Sequence, residues 1–127
     1  MKIDWKKQNK IEFNSYHSSM QHHDVVKQIC VKLLRKKYTN SKTIPIYTEY
    51  QGRGKKWNRK ADVYINCPAG EFAIEIQKAY TEEWETKAVQ DYEKLGVICI
   101  PIRLKILSEN ISEIVAQLKG DYLKAIL

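Results

Sequence analysis

The chain has 127 residues, 43% hydrophobic and 29% charged, which suits one compact domain (1–127) and excludes wholesale disorder. The longest apolar run, Val97 to Ile102, is too short to span a bilayer, and MKIDWKKQNK at the N-terminus lacks the apolar stretch of a signal peptide. Cys30, Cys67 and Cys99 form no CxxC pair, so neither a disulfide scaffold nor a structural zinc site is expected, and a reducing, cytoplasmic setting is. The net charge of +7 is unevenly spread: residues 1–60 carry 15 basic and 4 acidic side chains, residues 61–127 carry 7 and 11. A basic half on a small domain points to a polyanionic partner, nucleic acid ahead of a membrane surface.

The first legible element begins at Ser18-Ser19, where Ser18 and Gln21 match a capping box. Val26, Ile29, Cys30, Leu33 and Leu34 follow at spacings of three and four, predicting a helix with one buried stripe that ends near Asn40-Ser41. Three strands come next, Ile44–Tyr50, Lys60–Asn66 and Phe72–Lys78, separated by the loop QGRGKKWN and the turn Cys67-Pro68-Ala69-Gly70. A second helix is predicted over Thr81–Leu95. Thr81 is its N-cap, Trp84, Ala88, Tyr92 and Leu95 form its inner stripe, and Gly96 suits its C-terminal cap. VICIPI reads as a strand buried on both faces and parallel to a neighbour. A last amphipathic helix covers about 109–125. The order is α-β-β-β-α-β-α, an α/β fold with a mixed central sheet flanked by helices.

Strand alternation singles out the acids. Phe72, Ile74 and Ile76 share one face, which places Glu75 and Gln77 on the other, and the same reasoning sets Lys60, Asp62 and Tyr64 opposite Val63 and Ile65. Carboxylates on central strands are costly to bury without compensation, and Asp62 and Glu75, with Glu49 on a third strand, repel one another unless a cation intervenes. Mg²⁺ suits such oxygen donors. The competing reading is a set of salt bridges to Arg59, Lys60 or Lys78. The hairpin tip Gly52-Arg53-Gly54-Lys55-Lys56-Trp57, with Arg59, joins glycine flexibility, positive charge and an aromatic ring, a mix suited to phosphate contacts and base stacking. A solvated hairpin is its alternative. Cys30, Cys99, Trp84 and Tyr92 read as packing residues.

Asp62, a hairpin, then Glu75-Ile76-Gln77 resembles the PD-(D/E)XK nuclease signature in its E-x-Q form. His23 and Lys27 on the first helix, Glu49, the Arg59–Asp62–Val63 run, AIEIQ and Tyr92 are similar to competence-protein-like members, and archaeal Holliday junction resolvases share the core and the size. The resemblance covers about residues 19–104. It implies a restriction-endonuclease-like fold and a metal-dependent endonuclease that hydrolyses DNA phosphodiesters, linear or branched, leaving a 5′-phosphate. It further implies that Asp62, Glu75 and the carbonyl of Ile76 hold Mg²⁺ or Mn²⁺, with Glu49 an outer or second-metal ligand. Such a metal activates a bound water and offsets charge on phosphorus. Gln77 stands where the family's usual lysine would be, and an amide supplies no positive charge. Lys78 faces the other side of the strand, so Lys27, ahead of Lys60, is expected to provide it. His23, Arg53, Lys55, Lys56, Trp57, Arg59 and Lys60 are the expected contacts to nucleic acid. A symmetric homodimer would present two sites to two strands. The alternative on the same fold is a nucleic-acid-binding protein without catalysis. A small-molecule enzyme fits less well, for want of a phosphate-cradling glycine loop.

Overall fold

A computed structural model describes residues 21–38, 44–52 and 57–127. In chain order these form α1 (His22–Lys37), β1 (Ile46–Tyr50), β2 (Ala61–Cys67), β3 (Gly70–Gln77), α2 (Glu82–Glu93), β4 (Ile98–Arg103), a 3₁₀ turn (Leu104–Ile106), α3 (Ile111–Gln117) and a π turn (Leu118–Tyr122). The four strands make one mixed sheet in the order β1-β2-β3-β4. β1 pairs antiparallel with β2 and β2 with β3, whereas β3 and β4 pair in parallel across the α2 connection. The chain is therefore α/β, and no helix among the described residues is long and apolar enough to cross a membrane.

One face of the sheet meets α1 and the C-terminal elements in a large aliphatic core: Val26, Ile29 and Leu34 from α1, Ile65 and Ile74 from the sheet, Ile114 and Leu118 from the end of the chain. Each is fully buried, and side chains of this kind contribute about 1.5–3 kcal/mol apiece when removed from water. The opposite face carries a smaller cluster of Trp57, Ala61, Tyr64, Ala73, Tyr92 and Val97, covered by α2. Thr81 caps α2 by accepting from the amide of Trp84 at 3.0 Å, and Glu82, Glu83 and Glu85 occupy its first turn, where the helix dipole favours negative charge. Gly96, at φ +74°, takes the left-handed conformation that releases the chain into β4.

Three predicted features differ. α1 starts at His22 with Gln21 as an extended N-cap lacking a side-chain cap. A box with Ser18 would need Gln21 inside the helix, and Ser18 and the predicted end at Asn40-Ser41 lie outside the described residues. β4 is not buried on both faces: it is the sheet's edge, and Ile98 is 53% exposed. The last helix is not continuous from 109 to 125, because α3 ends at Gln117 and the chain widens into the π turn containing Gly120, a residue that weakens helix.

Candidate functional site

The sheet's regular alternation fails at one place. In the β1–β2 ladder Thr48 pairs with Val63 and Tyr50 with Ala61, which brackets Glu49 and Asp62 as the opposed pair between them. Glu49 has φ +51°, an uncommon conformation for a residue with a side chain. The kink reverses the pleat. Ile46 packs on the aliphatic core, while Tyr47 and Tyr50, three residues apart, stack on each other at 5.0 Å. Ala61 and Tyr64 are likewise three apart and share the aromatic cluster. Beyond Val63↔Ile74 the β2–β3 ladder opens as well.

This phase shift turns Glu49 and Asp62 towards α1. Lys27 Nζ donates to Glu49 Oε1 at 2.8 Å, and Lys60 Nζ lies 3.7 Å from Oε2. His23 Nε2 lies 3.3 Å from Asp62 Oδ1, and the other oxygen, Oδ2, accepts from the backbone N–H of Ile76 at 2.7 Å. His23 and Lys27 are one turn apart, so they share a face of α1. The hydrogen bond to Asp62 raises the His23 pKa above the ordinary imidazole value, outweighing the opposing effect of burial.

Glu75 remains on the other face. Arg59 Nε donates to its Oε2 at 3.0 Å and Nη2 to its Oε1 at 3.5 Å, while Nη1 donates to Asp91 Oδ2 at 3.0 Å. Lys87 adds a contact to Asp91 Oδ1 at 3.4 Å. Burial opposes the charges of Arg59 and Asp91, but pairing prevails: Glu75, ahead of Asp91, shifts Arg59 up, and Arg59 with Lys87 shifts Asp91 down. The Tyr92 hydroxyl, beside Glu75 and with no hydrogen-bond partner among the described residues, is kept protonated first by burial and then by that carboxylate.

The expectation that Asp62 and Glu75 share a face is thus corrected, and the kink is the reason. Among the described residues no group of three or more His, Cys, Asp or Glu side chains is arranged to hold a metal ion. Oxygen donors for a hard cation are nevertheless present in kind, because Glu49 and Asp62 are cross-strand neighbours turned to one face, and Mg²⁺ is commonly held by one or two carboxylates plus a substrate phosphate. Glu75 does not join them, since both its oxygens are taken by Arg59. Ile76 meets Asp62 through its N–H rather than the carbonyl expected as a ligand.

Other expected residues also take different places. Gln77 Nε2 donates to the Ala79 carbonyl at 3.2 Å, a local turn contact rather than one to the carboxylates. Trp57 is 8% exposed and packs edge-on against Tyr50, Tyr64 and Tyr92 at 5.1, 5.6 and 5.6 Å, so its ring is core rather than a stacking platform. That packing explains Gly52, where an added Cβ would sit 2.5 Å from the indole. Arg59 is engaged by Glu75 and Asp91, and its guanidinium also lies 5.9 Å from the Trp84 ring, which leaves Lys60 and His23 as the described members of the expected nucleic-acid set that reach the site. Arg53, Lys55 and Lys56 lie outside the described residues. Asp91 was not foreseen. Its signal was present, because it stands three residues after Ala88 and seven after Trp84, an acid on the inner stripe of α2. Compared with protein-family models, curated proteins and solved structures, the chain shows no significant match.

Proposed function

We propose that this chain is a metal-dependent nuclease with a restriction-endonuclease-like fold, hydrolysing DNA phosphodiester bonds. The supporting observation is the juxtaposition of Glu49 and Asp62 at opposed positions where the sheet kinks, facing His23 and Lys27 on one helix. Glu49 and Asp62 would hold Mg²⁺ or Mn²⁺, which when bound lowers the pKa of a coordinated water and offsets charge on the phosphate. The rest falls to the chain's own groups. The Ile76 N–H anchors Asp62 through Oδ2 and fixes the direction of its other oxygen, which His23 meets. Lys27 positions Glu49 and supplies the positive charge that Gln77 lacks. His23 and Lys60 flank the carboxylates as donors to phosphate oxygens. Arg59 keeps Glu75 and Asp91 compensated on the far face, so Glu75 shapes β3 rather than touching substrate. A homodimer would bring two such sites to two strands.

The test is nicking of supercoiled plasmid and of branched DNA by purified protein with Mg²⁺, Mn²⁺ or chelator. Cutting that needs metal and is lost in Asp62→Asn and Glu49→Gln supports the reading. DNA binding with no cutting in either metal overturns it. The second reading, a nucleic-acid-binding protein without catalysis, is favoured by the Arg59 clamp on Glu75 and by the turn-bound Gln77. It predicts that second outcome.

A further inference from the structure

Beside the kink lies a cleft of about 350 Å³ whose lining includes His23, Lys78, Leu104, Lys105, Leu107 and Glu109, a size within the range of small-ligand clefts. His23 belongs to both places, since its ring lines the cleft and reaches Asp62. Lys78 follows Ile76 by two positions, and Ile76 packs on the aliphatic core beneath α1. Lys78 directly follows β3, and the cleft it shares with His23 places it beside α1 and the redirected Asp62. With Asp62 turned towards His23, Lys78 and that carboxylate flank the same side chain. Lys105 comes from the 3₁₀ turn after β4 and converges on the cleft from a second element. Both lysines are exposed, and neither forms an ion pair among the described residues. Glu109, the carboxylate on the lining, is engaged in an interaction of its own.

We infer that this cleft is a phosphate-binding subsite in which Lys78 and Lys105 hold the nucleic-acid backbone next to the Glu49–Asp62 site. The inference rests on the nucleic-acid reading above but not on catalysis. Two cations from separate elements, without an ion pair among the described residues and over an apolar floor of Leu104 and Leu107, suit a phosphate group that is dehydrated on one side. The shared wall at His23 makes the subsite continuous with the site rather than a separate surface. A backbone with one phosphate at Glu49–Asp62 has Lys60 to one side and this cleft to the other. The lysines here act on position and affinity, because phosphate contacts fix register without reading sequence.

Binding of a short labelled DNA duplex, followed by fluorescence anisotropy over a range of salt with chelator present, tests the cleft without any cutting. Each neutralised phosphate contributes about 0.9 to the slope of log K against log salt, so Lys78→Gln/Lys105→Gln should flatten that slope by about 2, and Lys105→Gln alone by about 1. A control with the same charge loss, Lys119→Gln/Lys124→Gln, changes a different groove next to Lys36 and Lys37 and should leave the slope as it is. Equal slopes for wild type and the cleft variant would overturn the inference, as would equal flattening by the control or a wild type that binds no duplex at low salt. A protein that binds through the cleft yet never cuts loses the nuclease reading alone. One that cuts while the cleft variant keeps its slope loses the cleft alone.

Discussion

The two faces of the sheet are built on different principles. Beneath α1 the contacts are aliphatic, with Ile65, Ile74, Ile102 and Ile114 excluded from solvent. Beneath α2 a guanidinium and two carboxylates are sunk among aromatic rings, and Trp57 Nε1 and Tyr92 Oη have no partner among the described residues. The first face tolerates volume-conserving change because dispersion and water exclusion are not directional. The second depends on every charge being matched, since an unpaired buried ion costs several kcal/mol. The difference teaches that Glu75, the acid most prominent in the motif, belongs to the face where charge is compensated internally. Glu49 and Asp62 reach the other face because the pleat reverses beneath them.

The sharpest way to break this comparison is to remove the shared cation. Arg59→Met leaves Glu75 and Asp91 facing each other without their guanidinium, and a loss of about 3–5 kcal/mol is expected in urea unfolding. Ile74→Ala on the aliphatic side should cost about 2–5 kcal/mol through its cavity. The two losses differ in how they are repaired. Neutralising both acids as Glu75→Gln/Asp91→Asn in the Arg59→Met background should restore much of the first, whereas nothing of the kind rescues Ile74→Ala. A loss below about 1 kcal/mol for Arg59→Met would place the network among weak surface pairs and dissolve the contrast.

Acid sharpens the same contrast by a smaller amount. Asp91 is held below the ordinary aspartate value: burial works against its charge, and the Arg59 and Lys87 contacts prevail. A depressed folded-state pKa contributes stability that is complete above the unfolded value, about 3.9, and that is lost as pH falls through the lower folded value. Asp91→Asn should therefore be less stable than wild type at neutral pH by about 1.5–3 kcal/mol, the range for hydrogen bonds to charged groups. The gap should begin to narrow below about pH 4, where the unfolded chain takes up the Asp91 proton, and close once pH passes the lower folded value. Urea midpoints for both proteins across that range are the measurement. A gap that stays constant down to pH 3 would mean other acids carry the acid sensitivity.

Much of this architecture was legible because local signals and tertiary contacts agree. Thr81 and Gly96 bound α2 as capping chemistry requires, and the turn at Pro68-Ala69 sits between strands that pair as a hairpin from Cys67 and Gly70. VICIPI was misread as doubly buried because apolar runs look alike in the centre and at the edge of a sheet, and only strand order tells them apart. The site was legible residue by residue but not in its grouping. Glu49, Asp62, Lys27 and His23 were all singled out, yet period-two alternation assumes an unbroken pleat, and no turn residue marks the reversal at Thr48-Glu49-Tyr50. The Arg59–Asp91 pair spans 32 residues and two elements, and charge patterning along the chain carries no information about such a partner.

The reversal itself yields the finest prediction. Among the described residues Glu49 is the non-glycine residue with positive φ, a conformation that costs an L-residue about 1–2 kcal/mol and glycine nothing comparable. Its side chain returns little, since the Lys27–Glu49 pair is partly exposed, and such pairs are worth about 0–1 kcal/mol. Glu49→Ala keeps the strain and loses the pair, while Glu49→Gly loses both. Glu49→Gly should thus be the more stable of the two variants by about 0.5–1 kcal/mol, after allowing for the extra freedom glycine gives the unfolded chain. On the proposed nuclease reading both should lose metal-dependent cutting alike, because both lack the carboxylate. If Glu49→Ala proves as stable as Glu49→Gly, the backbone relaxes at no cost and the kink stores nothing. If glycine is the more stable, Glu49 carries real backbone strain, the pattern expected where a residue is kept at a cost to folding.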